Sequence, residues 1–214
     1  SNTWFMYYDK RVFSEDDVKS LDKMLEKGKV SFPLSNSWYN VAFYAGNGCT
    51  LFGGNNDASA GIDYSGEKAV AATKYLVNLV KNKNFSNDAD GSGIKGLKNG
   101  SVNAVFSGTW DYNNVADALG AENVGIVQLP TAKIDGKEVQ LKSFAGSKAI
   151  GVNPNTKYPQ VAVALASFLG STEAQKEHYK TRNTIPTDKS LLEDPEIASD
   201  ALATAQGNTI ANTS

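Results

Sequence analysis

The stretch "VNAVFSGTWDYNN", Val102 to Asn114, decides the fold. Its first five residues read as a strand, and Ser107-Gly108 stops them with a turn signal. The turn is followed at once by Trp110 and Tyr112 set among Asp111, Asn113 and Asn114. A plain strand-to-helix junction needs neither two aromatics nor so many side-chain hydrogen-bonding groups. In open α/β sheets ligands collect outside the carboxyl ends of strands, so the stretch predicts a sheet and a site at its edge together.

Working outward, strand and helix patterns alternate. "TWFMYY" reads as a strand. "SEDDVKSLDKMLEKGK" reads as a helix capped by Ser14, with acids in its first turn and Val18, Leu21 and Leu25 at helical spacing. "DYSGEKAVAATKYLVNLVKNKN" predicts an amphipathic helix with Val70, Leu76, Leu79 and Val80 on its inner face. Downstream, "ENVGIVQLP" is a strand stopped by Pro130, and "KIDGKEVQLKSF" a hairpin turning at Asp135-Gly136. "KAIGVN" reads as a strand ended by Asn153-Pro154. "YPQVAVALASFLGSTEAQKEHYKTRN" gives two helices broken at Gly170, and "DPEIASDALATAQG" a last helix with Pro195 near its start. This mixture argues for α/β architecture.

The composition is that of a globular chain: 214 residues, 41% hydrophobic and 21% charged. A net charge of −2 leaves no electrostatic footprint for nucleic acid. No run approaches the roughly 18 apolar residues of a membrane-spanning helix. Cys49 is the only cysteine, so no internal disulfide forms, and it reads as a small buried apolar residue. His178, the only histidine, sits in the charged "EAQKEHYK" and reads as a surface residue; alone it cannot anchor a zinc site. The chain opens on "SNTWFMYYDK", with no initiator Met and no leader, and closes on a polar tail. A fragment of a longer protein is expected, its targeting signal lying elsewhere.

Several motifs look chemical and read better as structure. "GSGIKG", Gly91 to Gly96, matches a dinucleotide fingerprint letter for letter, but "NFSNDAD" before it is no buried strand. It predicts a turn into a short helix. The surrounding "SNDADGSGIKGL" imitates a calcium loop through Asp88, Asp90 and Gly91, yet Leu97 stands where the bidentate Glu belongs. No metal and no cofactor is expected. A carbohydrate-active enzyme would need a pair of carboxylates, for which Asp111 with a distant Asp90 is the one nomination.

The aromatic and amide clusters point elsewhere. "LSNSWYNVAFYAGNG" offers Trp38, Tyr39 and Tyr44 among Asn36, Ser37 and Asn40, and "SGTWDYNN" repeats the combination. A pyranose has flat C–H faces and a rim of hydroxyls, and wants an aromatic plate with polar groups around it. A Trp ring buries roughly 150–250 Å². At about 25 cal/mol per Å² that is a gross gain of several kcal/mol before ordering costs. Trp38, Tyr39 and Trp110 are therefore expected to lie bare on a common wall, whereas Trp4, inside a strand, is expected in the core.

Taken in order, "WFMYYDK", "LSNSWYNVAFYAGNG", "GEKAVAATKYLVNLVKNKN", "LKNGSVNAVFSGTWDYNNV" and "PQVAVALASFLGSTEAQKEHYKTRNTIPTDKSLLEDPEI" resemble the maltose/maltodextrin-binding proteins, the extracellular solute-binding subunits of sugar ABC transporters. The resemblance covers nearly the whole chain. It implies a periplasmic-binding-protein-like (type II) two-lobe α/β fold, with ligand held in the cleft and the chain crossing between lobes three times. Matched by position, residues 1–145 form the main part of the C-terminal lobe. Residues 146–194 belong to the mostly absent N-terminal lobe, and 195–214 return to the C-terminal lobe.

The resemblance also implies roles. Trp110 falls on a sugar-stacking position, Trp38 and Tyr39 on an aromatic pair of the cleft, and Asn36, Ser37 and Asp90 on ligand-contacting positions. Asp111 and Tyr112 join them from the same turn. Trp38 stands where Tyr is familiar, Asn36 where Glu is, and Asp90 where Tyr is, so a sugar other than maltose stays open. The partners implied are an oligosaccharide and the permease subunits of an ABC importer. The implied location is extracytoplasmic, with the intact protein lipid-anchored or periplasmic. A binding protein of this fold for a non-sugar solute is the remaining alternative.

Overall fold

The computed structural model describes residues 2–54 and 57–212. In chain order its strands are β1 (Phe5–Asp9), β2 (Val30–Phe32), β3 (Thr50–Leu51), β4 (Ile62–Asp63), β5 (Phe85–Asn87), β6 (Ala104–Ser107), β7 (Val124–Val127), β8 (Thr131–Ile134) and β9 (Lys137–Gln140). The helices are α1 (Leu21–Lys27), α2 (Ser37–Gly46), α3 (Gly66–Lys81), α4 (Ser92–Asn99), α5 (Tyr112–Leu119), α6 (Pro159–Leu169), α7 (Thr172–Arg182), α8 (Lys189–Leu192), α9 (Pro195–Ala198) and α10 (Ala201–Ala211).

Strand β1 organises the molecule. All five of its residues are buried, as an almost uninterrupted apolar run requires of a strand covered on both faces. Trp4, Met6 and Tyr8 enter one core together with Leu21 and Met24 of α1, Phe43 of α2 and Leu79 of α3. Phe5 and Tyr7 enter a second core with Leu97 of α4, Val115 of α5 and Leu202 of α10. The result is a helix–sheet–helix sandwich. Its sheet runs β5-β2-β6-β1-β7, with β2 parallel to both β5 and β6, and β1 antiparallel to β6 and β7. Tyr8 pairs with Gly125, where a Cβ would fall 2.2 Å from the Tyr8 ring; the glycine makes room for it.

The β8–β9 hairpin turns at Asp135 and Gly136, whose φ of 50° and 75° suit the primed turn expected there. The break at Gly170 is also present, with Ser171 capping α7 through the Ala174 amide.

Four expectations are corrected. Ser14 caps no long helix: its hydroxyl donates to Asp17 Oδ2 at 2.8 Å beside a 3-10 turn, Asp17–Lys19, and α1 is capped by Ser20. Helix α3 turns Ala69, Ala72 and Leu79 inward and leaves Val70 and Val80 exposed, so its buried face is rotated from the one the valines mark. "KAIGVN" is no strand: among the described residues none pairs with it, and an extended segment without ladder partners earns no strand structure. The last helix is two, since Asp200 Oδ1 accepts the Leu202 amide at 2.8 Å and starts α10 afresh.

Between residues 146 and 194 the packing is uneven. Helix α6 buries none of its residues and exposes Val161, Leu165 and Phe168. Helix α7 is tied down: Lys176 pairs with Asp194 at 2.9 Å, and the Tyr179 hydroxyl donates to Asp200 at 2.6 Å. No helix among the described residues is long and apolar enough to cross a membrane.

Candidate functional site

Three adjacent parallel strands, β5, β2 and β6, end at the same edge of the sheet. Each is followed by a turn and a helix start: β2 by Pro33–Asn36 and α2, β5 by Asp88–Gly91 and α4, β6 by Gly108–Asp111 and α5. Asn36, Ser37, Trp38, Tyr39, Asp90, Trp110, Asp111 and Tyr112 all lie on these three junctions, whereas Tyr44 sits near the far end of α2 with its hydroxyl paired to Thr73. Two of the junctions are stitched together, the Leu34 amide donating to Asn87 Oδ1 at 2.9 Å and the Asp88 amide to the Phe32 carbonyl at 3.0 Å.

On the first junction, Asn36 caps α2, its Oδ1 accepting the Trp38 amide at 2.9 Å. The carbonyl oxygen of its carboxamide is therefore engaged, and the amide nitrogen is the group it can offer outward. Ser37 is exposed beside it. Trp38 and Tyr39 are neighbours on a helix, so their side chains diverge. Trp38 is half-buried against the first core, 6.3 Å from Phe144. Tyr39 is buried, its ring 5.0 Å from Trp4.

A cavity of about 540 Å³ opens beside Tyr39, lined also by Asp88, Lys95, Ser107, Asp111 and Asn114. Burial pushes the Tyr39 phenol above its ordinary range; Ser107 opposes this, and the nearby Asp111 and Asp88 charges add to it. It stays a neutral donor. Asp111 is held on both oxygens, by the Ser107 hydroxyl at 2.6 Å and by Asn114 Nδ2 at 3.2 Å. Asp90 is exposed at the start of α4 and accepts the Ser92 amide at 3.1 Å; its hydrogen bonds with Ser92 hold its carboxyl below the usual range.

On the third junction Trp110 is 46% exposed and lines a separate cavity of about 450 Å³ with Ile150, Leu169, His178, Arg182 and Thr184. Tyr112 is half-buried and packs against the second core. Of the three rings expected to be bare, Trp110 alone is. Tyr39 contributes mainly its hydroxyl, because its ring completes the core around Trp4.

Sequence reasoning missed Ser107 and Asp88 as wall residues. Asp88 Oδ1 is buried with no hydrogen-bond partner among the described residues. The strand-end rule applied to "FSN" as it was to "VNAVF" would have found it. Cys49 is buried and His178 exposed, as read. Among the described residues no group of three or more His, Cys, Asp or Glu is arranged to hold a metal.

Residues 1–205 match the family model of the bacterial extracellular solute-binding proteins. The chain belongs to this family. Among solved structures, a chain determined with acarbose is 56% identical at a TM-score of 0.94, the match covering 100% of this chain and 56% of that one. The maltodextrin-binding protein MalE1 from L. casei BL23, solved without ligand, is 28% identical at a TM-score of 0.83, covering 97% and 55%. The galactooligosaccharide-binding protein of Bacillus subtilis (strain 168) is 28% identical over 221 residues, 95% of this chain and 51% of that protein. The chain thus spans about half the length of the relatives it matches, and its α/β fold is that of the periplasmic-binding-protein-like proteins. The likeness to maltodextrin-binding proteins read from the sequence stands, and both named relatives are binding proteins.

Proposed function

We propose that this chain contributes one wall of an oligosaccharide-binding cleft, and that the whole protein captures a maltooligosaccharide-like sugar for an ABC importer without altering it. The observation that carries the reading is the half-exposed Trp110 ring at the carboxyl edge of the sheet, in the turn after β6, the strand next to β2 and its Asn36–Tyr39 junction. Trp110 supplies the plate. The Tyr39 hydroxyl, the Asn36 amide, Ser37, Asp90 and the Asp111 carboxylate supply polar groups along the same sheet edge, Tyr39 and Asp111 in a cavity apart from the one that Trp110 lines. Trp38 and Tyr112 shape the wall from behind, their rings partly withdrawn into the two cores.

The similar chain determined with acarbose, the maltodextrin-binding protein and the galactooligosaccharide-binding protein support a sugar over another solute. The proposed division is residues 1–145 and 195–214 in this lobe and 146–194 in the other; α10 covering the Phe5–Tyr7 face and α6 burying nothing both favour it. Capture would be extracytoplasmic, from a lipid anchor or in a periplasm.

The nominated pairing of Asp111 with Asp90 is disfavoured as a catalytic pair by its geometry, because Asp90 does not line the cavity that Asp111 lines. Titrating maltotriose while following tryptophan emission tests capture, and chromatography of the recovered sugar tests turnover. Saturable quenching with intact maltotriose is expected. Flat emission from a folded sample, or shortened products, would overturn the reading.

A further inference from the structure

The Trp110 ring lies directly against the backbone of Gly108. A Cβ built on Gly108 would fall 2.2 Å from Cζ3, 2.4 Å from Cη2 and 2.6 Å from Cε3 of that ring, and these are its three nearest atoms. Carbon atoms pack at about 3.5–4.0 Å, so no side chain at residue 108 is compatible with the ring where it stands. The glycine is not needed for its own backbone. Its φ of −119° and ψ of −168° are extended values open to any residue. The space, not the conformation, calls for glycine.

The turn around it is pinned on both sides. The Tyr7 hydroxyl, buried on β1, donates to the Gly108 carbonyl at 2.8 Å, and the Asp111 amide donates to the same oxygen at 3.1 Å. The Ser107 hydroxyl then ties the Asp111 carboxylate to the end of β6 at 2.6 Å. The residues flanking Trp110 are fixed to the sheet while its ring remains half-exposed.

We propose that Gly108, held by Tyr7, is a positioning residue that seats the Trp110 ring against the main chain and so presents it to ligand in one orientation; the ligand half of this rests on the sugar-binding reading above. An unsupported exposed tryptophan would have to be ordered at each binding event, and a seated one is ordered beforehand.

The test uses the 214-residue chain with ¹⁵N-labelled tryptophan, its Trp110 indole resonance assigned by the loss of that signal in Trp110→Ala. Without ligand, wild type should show a nuclear Overhauser contact between Gly108 Hα and the Trp110 benzo ring. Gly108→Ala should abolish it, shift the Trp110 indole signal, spare the Trp4 signal, and weaken maltotriose binding at least about tenfold. Tyr7→Phe should move the same resonance less far and weaken binding about threefold.

Because Gly108→Ala alone could compromise folding, it is also made in the Trp110→Ala background, where the new methyl group meets no ring. There it should leave the urea midpoint unchanged. Retention of the wild-type contact and affinity in Gly108→Ala would overturn the proposal, as would equal destabilisation with and without the Trp110 ring. A wild-type chain that ignores maltotriose defeats the ligand half, while the ligand-free contact and the double variant still decide the seating.

Discussion

The Trp4 indole N–H donates to the main-chain carbonyl of Trp38 at 2.9 Å, joining the entry to β1 to the first turn of α2. Trp4 is fully buried and also packs 5.0 Å from Tyr39 and 5.3 Å from Phe106. One core indole therefore fixes the height of the Trp38–Tyr39 pair above the sheet. Trp4→Phe keeps most of the packing but leaves that carbonyl without its indole partner. It should cost about 1–3 kcal/mol in urea unfolding, and it should shift the Tyr39 ring resonances.

Trp110, by contrast, has its ring half in solvent. Trp110→Ala removes a ring that is about half buried and should cost about 1–3 kcal/mol, less than truncating a core aromatic. On the sugar-binding proposal, affinity for maltotriose should fall at least about tenfold as well, since the proposed stacking ring is lost. Urea unfolding and calorimetric titration of the same sample separate the two effects.

Phe32 is the hub of the first core, with ring centroids 4.4 Å from Phe106, 5.0 Å from Phe85 and 6.0 Å from Phe43. It closes the strand whose end feeds the Asn36 junction. Phe32→Ala should cost about 3–5 kcal/mol. At temperatures where the variant is still folded, binding should weaken too, because the hub supports the wall.

The pH response follows from Asp17. Its hydrogen bond from Lys27, at 2.6 Å, and those from Ser14 lower its carboxyl to about 2. A folded-state value below the unfolded one, about 3.9, gives a contribution that is complete above pH ~4 and lost as pH falls towards 2. Asp17→Asn should therefore be less stable than wild type at neutral pH and show a flatter acid limb between those values. Thermal melts at steps of pH measure both.

How much of this was legible in the sequence depends on whether the signal was local. Ser107-Gly108 after "VNAVF" marked the end of β6 and the exposure of Trp110, since a turn residue and a ring outside the apolar run are local facts. The Asp135-Gly136 hairpin and the Gly170 break are equally local. The Asn36 cap was present in "LSNSWYN" but was read as a ligand group, which hid the helix that sends Trp38 and Tyr39 in different directions. The inner face of α3 differs from the expected one because valine outranks alanine on any hydrophobicity scale, whereas the helix buries Ala69 and Ala72. "KAIGVN" failed for a non-local reason: a strand is defined by its neighbours, and none of the described strands lies beside it.

The proposed function turns on sugar meeting the Trp110 edge of the sheet. The most direct measurement is a maltotriose titration of the ¹⁵N-tryptophan-labelled chain, following its indole resonances one by one. A saturable shift of the Trp110 signal is expected, with the buried Trp4 signal unmoved. A Trp110 resonance that stays in place at millimolar sugar, in a chain whose spectrum remains that of a folded protein, would contradict it.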